Sequence, residues 1–107
     1  MAKARAVTAA DFDSEVLHAE VPVLVDFWAP WCPPCRAIGP EVDAVAEVME
    51  GRAKVLKLDV DEEPEIESRY GVRSIPTLLF FKGGQVAGQI VGAVPRGVIA
   101  EKLHTLL

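Results

Sequence analysis

Cysteine is scarce in this 107-residue sequence, which holds only two, and histidine is equally scarce. A tetrahedral zinc site needs four such ligands, typically two cysteine pairs or one pair with two histidines. His18 and His104 fall at the ends of the first and last expected helices, away from ligand spacing, so no metal site is expected within the chain. Positive charge is also short. Eleven Lys and Arg against sixteen Asp and Glu give a net charge of −5, which argues against nucleic acid or an anionic membrane as the main partner. No apolar run approaches the ~18 residues of a membrane span. Nor do the ~7–15 apolar residues of a secretory leader follow Lys3 and Arg5. The expected compartment is therefore the cytoplasm, where thiols are kept reduced. Repeats, low-complexity tracts and linkers are missing too, so one domain over residues 1–107 is expected, long enough to bury a core without staples.

What the chain does contain is a regular alternation of element signals. After a short extended start, Thr8 to Asp11 has the form of a capping box, opening a helix with Phe12, Val16 and Leu17 inward. Residues 23–29 are apolar on both alternating faces except at Asp26, the pattern of a central buried strand. A helix is expected from about Pro34 to Glu50, with Ile38, Val42, Val45 and Met49 at helical spacing and Gly51 as its stop. Residues 55–60 read as a strand. Asp61 to Glu65 place acids and a proline where a helix starts, and Gly71 ends it. Residues 77–81 and 86–91 around Gly83 and Gly84 read as a hairpin. A last helix from about Pro95 to Leu106 turns Val98, Ile99, Leu103 and Leu106 inward. The order β-α-β-α-β-α-β-β-α implies an α/β fold, a mixed central sheet covered by helices on both faces.

Cys32 and Cys35 stand three apart with Pro33 and Pro34 between them. As a structural staple the pair closes a very small loop and removes little entropy from the unfolded chain. As a lone nucleophile, Cys32 lacks a histidine base nearby in sequence, although one from elsewhere in the fold stays open. A redox pair needs nothing further. Cys32 ends a strand-to-helix turn and Cys35 lies in the first helical turn, where unpaired amides and the positive end of the helix dipole favour thiolate. Attack by Cys32 on a disulfide leaves Cys35 placed to resolve the mixed disulfide. The prolines let the turn stay nearly fixed while the sulfurs change partners, with the Cys35 amide as the local donor to Cys32. Asp26, buried by its strand, is expected to have a raised pKa suited to accepting protons near neutrality. Lys57 shares a strand face with Val55 and Asp59, and by pattern alone a solvated lysine is as good a reading.

The stretch Asp26-Phe-Trp-Ala-Pro-Trp-Cys-Pro-Pro-Cys35 resembles the active-site segment of the thioredoxin family. Further matches are Pro40, Lys57, Asp59, Ser74 to Thr77, Phe81, Gly84 and Val91 to Ala93, so the resemblance spans essentially the whole chain. It implies the thioredoxin fold, about five strands flanked by four helices, and a general protein-disulfide reductase. No cofactor is implied beyond the redox-active Cys32–Cys35 disulfide. The implied partners are disulfide-containing substrate proteins and a thioredoxin reductase, NADPH-dependent or ferredoxin-linked, acting on a monomer. The resemblance also makes Asp26 the proton acceptor for Cys35 and Lys57 its tuning partner. Pro76 reads as trans from sequence alone, but the family pattern implies a cis bond facing the cysteines. Trp31, Pro33, Pro34, Ile75 and Pro76 are then substrate-binding, with Val91, Gly92 and Ala93 completing the rim; for Val91 a core reading stays open. Trp28 is expected to pack beneath the site, and Pro40 has a structural role.

The usual dipeptide in the family is Gly-Pro where this chain has Pro33-Pro34, and Arg36 stands for the commoner lysine. The dipeptide distinguishes reductases from oxidases and isomerases, but those of the same fold commonly carry histidine there and work outside the cytosol, and this chain shows neither feature. A binding subunit with incidental cysteines is a second alternative, against which the set Asp26, Trp31, Cys32, Cys35 and Pro76 argues.

Overall fold

A computed structural model describes residues 3–107; the first two positions of the unit expected over 1–107 lie outside the described residues. The chain forms strand β1 (Arg5–Ala6), a π-helical turn (Asp13–Leu17), β2 (Val23–Trp28), helix α1 (Pro33–Val48) and β3 (Lys54–Asp59). Helix α2 (Pro64–Arg69), the hairpin β4 (Thr77–Lys82) and β5 (Gln85–Val91), and α3 (Arg96–His104) complete it. The element order is the expected one.

The strands form one mixed sheet in the order β1-β3-β2-β4-β5. β2 is central, parallel to β3 and antiparallel to β4. Its composition explains the position, because side chains alternate between the faces of a strand and both of its faces are apolar. Val23, Val25 and Phe27 join Phe12, Val16 and Ile66 beneath the π turn and α2. On the opposite face Leu24 packs with Ile38, Val42 and Val45 of α1 and with Ile99 and Leu103 of α3. Asp26, two residues on from Leu24, points to that same face. Among the described residues no helix is long and apolar enough to cross a membrane.

Two expectations are corrected. The first helical segment is a wider turn than an α-helix, with the His18 amide reaching back five residues to the Asp13 carbonyl at 3.0 Å. Phe12 and Val16 are buried as expected, and Leu17 is half-buried. In α3, Val98 is not inward: it is 49% exposed. Ile99, Leu103 and Leu106 form the stripe at spacings of four and three, and Val98 lies about a quarter-turn off it.

The hairpin turns on Gly83 and Gly84, with φ of 61° and 80°. Positive φ at both central residues matches the twist of the flanking strands and strains any side chain there. At Gly84 there is a second restriction: a Cβ would lie 2.8 Å from the Leu17 carbonyl oxygen. Gly83→Ala is therefore expected to cost about 1–2 kcal/mol in urea unfolding. Gly84→Ala should cost clearly more, and equal losses would show that the Leu17 approach is not a constraint.

Candidate active site

The C-terminal end of β2 delivers the chain into a tight turn. The Cys32 amide donates to the Ala29 carbonyl at 3.2 Å, and Arg36 Nη1 donates to the Pro30 carbonyl at 3.0 Å. Cys32 is the N-cap of α1, with extended backbone, and its carbonyl accepts the first helical bond from the Arg36 amide at 3.1 Å. The helix thus opens at Pro33, one residue before the expected start. The first helical positions need no amide partner, so consecutive prolines there remove nothing the helix uses. The Cys35 amide donates to Cys32 Sγ at 3.3 Å, making it the local donor the sequence left available. The two cysteines are joined as a disulfide, with Cα atoms 5.2 Å apart, and both are buried.

Residues distant in sequence meet around this turn. The Ile75–Pro76 bond is cis, and the Ile75 carbonyl oxygen lies 3.8 Å from Cys32 Sγ. The Gly92 amide donates to the Pro76 carbonyl at 2.9 Å, tying the end of β5 beside Pro76. Trp31 is 64% exposed, and its Nε1 donates to Asp61 Oδ2 at 2.6 Å. Asp61 read only as a helix-start acid in the sequence; nothing there indicated that it would orient an indole. Val91 is 53% exposed, which overturns its core reading, because β5 is an edge strand. Pro33, Pro34 and Ala93 are exposed, Ile75 is half-buried and Pro76 is buried.

Behind the cysteines lies a cavity of about 100 Å³ lined by Asp26, Trp28, Cys35, Arg36, Asp43 and Lys57, among others. Asp26 is only 4% exposed, and its Oδ1 accepts no hydrogen bond. Parallel pairing of β2 and β3 sets Lys57 directly opposite Asp26. Burial pushes the Asp26 carboxyl from its usual value near 3.8 up to about 7; the Lys57 ammonium pulls against this, and the Asp43 carboxylate adds to it. Lys57 is half-buried rather than freely solvated, and its Nζ lies 5.3 Å from the centre of the Trp28 ring, within cation–π range. Trp28 packs against the core below the turn, as expected.

A disulfide spanning two residues at the positive end of a helix, with an acid titrating near neutrality in the cavity that one sulfur lines, is arranged to open and close. Its class is that of the thiol–disulfide oxidoreductases. Sequence kinship narrows this class. The family model for thioredoxin matches residues 3–105. Thioredoxin 1 of Nostoc sp. is 53% identical over 104 residues, 97% of each chain. Thioredoxin of Synechocystis sp. is 54% identical over 101 residues, 94% of each. The chloroplastic M-type thioredoxin of Chlamydomonas reinhardtii is 49% identical over 106 residues, 99% of this chain and 76% of that protein. The chain belongs to the thioredoxin family, and it is a protein-disulfide oxidoreductase with a redox-active disulfide.

The Asp26 environment has a consequence for stability. With a carboxyl raised to about 7 in the folded state, the unfolded chain ionises first as pH rises. Between about pH 4 and 7 the folded state holds more protons, so stability falls across that window, by roughly 4 kcal/mol for a gap of about three pK units. Asp26→Asn in the oxidised protein is expected to be more stable than the parent at pH 8, with the gain shrinking toward pH 4. Urea unfolding at both pH values checks this; a pH-independent difference would refute it.

Proposed function

We propose that the chain works as a general protein-disulfide reductase, cycling between the Cys32–Cys35 disulfide and the dithiol. The observation that carries the reading is that Cys35 and the buried Asp26 line one cavity. In the reduced protein, thiolate is favoured on Cys32 by the N-terminus of α1. Its sulfur attacks one sulfur of a substrate disulfide. The substrate S–S bond breaks, a Cys32–substrate disulfide forms, and the first substrate sulfur leaves as thiolate and is protonated. Asp26, ionised in part at neutral pH, takes the proton from the Cys35 thiol. The Cys35 thiolate attacks Cys32 Sγ, the mixed disulfide breaks, and the second substrate sulfur leaves and is protonated. Two electrons have passed to the substrate, and the protein holds them no longer.

Lys57 tunes this exchange by favouring the ionised form of Asp26, while Trp28 holds its ammonium in place. Trp31, Pro33 and Pro34 form one side of the substrate face; Ile75, with Val91, Gly92 and Ala93, forms the other, and the buried cis Pro76 supports it from beneath. An extended substrate chain pairs with the backbone of Ile75, a mode insensitive to side-chain identity. The apolar rim adds contact without charge selection. The disulfide is recharged by a thioredoxin reductase, NADPH-dependent or ferredoxin-linked, and the protein acts as a cytoplasmic monomer needing no further cofactor.

Reduction of insulin disulfides tests the reading, driven first by dithiothreitol and then by NADPH with thioredoxin reductase. The parent protein is expected to accelerate insulin precipitation in both formats, and Cys32→Ser to sit at the background rate. Absence of turnover by the parent would favour a binding module. Stopped-flow kinetics test the role of Asp26. Asp26→Ala is expected to slow resolution at neutral pH by about 10²-fold, at the low end for a positioned proton acceptor, and to leave Cys32 attack within a few-fold. If both steps are unchanged, Asp26 has no part in the mechanism.

A further inference from the structure

Asp43 has no part in the exchange steps, yet it lines the cavity that holds Asp26 and Cys35. It lies on α1 eight residues beyond Cys35, a little over two turns on, and is half-buried. Its Oδ1 accepts a hydrogen bond from the Ala4 amide at 2.9 Å. Ala4 immediately precedes β1 and lines the same cavity. The ion pairs among the described residues join Glu15 to Arg5 and Lys54, Asp13 to Arg69, and Glu41 to Arg96, so none neutralises Asp43.

The charged groups around Asp26 come from two elements. β3 presents Lys57, and α1 presents Arg36 and Asp43 together with the Cys35 sulfur. Leu78, opposite Asp26 on β4, and Ala4 bring no charge. Of the two cations, Lys57 is held against the Trp28 ring, whereas the Arg36 guanidinium is turned to the Pro30 carbonyl and is exposed. Asp43 is therefore the second anion of the cavity, beside an Asp26 that is itself held out of water.

We propose that Asp43 is a positioning residue for the resolving step: it latches the segment before β1 against the cavity and holds a negative charge beside Asp26. Together these set the pH at which Asp26 takes the Cys35 proton. The proposal rests on the reading in which Asp26 serves Cys35. The latch keeps the cavity narrow on the β1 side and limits hydration of Asp26; the charge disfavours a second carboxylate nearby. Both act in the same direction. They are separable, because asparagine keeps an oxygen acceptor for the Ala4 amide and removes the charge, whereas alanine removes both.

The experiment follows the Asp26 carboxyl by NMR titration in oxidised parent, Asp43→Asn and Asp43→Ala proteins, alongside hydrogen exchange of the β1 amides. The pH profile of resolution is recorded for the same three proteins after reduction. Asp43→Asn is expected to keep β1 protection and to lower the Asp26 midpoint, as removal of a nearby like charge does. Asp43→Ala should lose β1 protection and lower the midpoint further. The resolution profile should move to lower pH with the midpoint in each. An unmoved midpoint in both variants overturns the proposal while leaving Asp26 as acceptor intact. A midpoint that moves while the resolution profile does not overturns the assignment of Asp26 to Cys35, and the role of Asp43 in resolution with it.

Discussion

A carboxylate buried in the middle of a doubly covered strand is the constraint around which this molecule is arranged. Asp26 lies on β2, hydrogen-bonded to neighbours on both sides and packed on both faces. Ionising it there costs roughly 4 kcal/mol on the scale of its raised pKa, a large share of the 5–15 kcal/mol by which domains of this kind are stable. The two apolar clusters have to offset that cost. Phe27, Leu24 and Val25 beside it are fully buried, so the strand is held by far more contact than its one charge undoes.

The same strand positions the chemistry. β2 ends at Trp28, and four residues later its path becomes the N-terminus of α1. The cysteine pair thus sits where a rigid strand meets a helix end, a place with unpaired amides and partial positive charge. Because α1 then folds back over the β2 face carrying Asp26, it brings Cys35, Arg36 and Asp43 to the cavity from above. The parallel neighbour β3 brings Lys57 from the side. One strand, one helix and one neighbour therefore fix both the sulfur pair and its proton environment.

The prolines illustrate how position decides meaning. Two consecutive prolines inside a helix would break it, but at its first two positions they occupy sites whose amides have no intrahelical partner. The sulfur of Cys32 accepts the Cys35 amide in the place of a capping oxygen. Stiffness of the turn and capping of the helix are one arrangement. Pro40, further along α1, lies well away from this end.

Element order, the central place of β2, the helix-end position of the cysteines and the burial of Asp26 were all legible in the sequence. Each is a local matter of periodicity or of a cap, and the thioredoxin resemblance added the cis bond at Pro76 and pointed to Lys57, which the strand pairing sets opposite Asp26. Val98 was misread because helical spacing cannot distinguish a stripe from its neighbour when both are apolar. Val91 was ambiguous because its exposure depends on β5 being the sheet edge, which the hairpin pattern does not state. The Trp31–Asp61 bond and the latch from Asp43 to Ala4 join residues 30 and 39 positions apart, and no local pattern marks either acid as different from a solvated one. The sequence by itself determined which segments are strands and helices and that two thiols share a helix end, because those follow from short-range sterics and alternation. Only the tertiary structure decided that Asp43 joins Lys57 around Asp26, because that depends on which strands pair and how α1 closes over them.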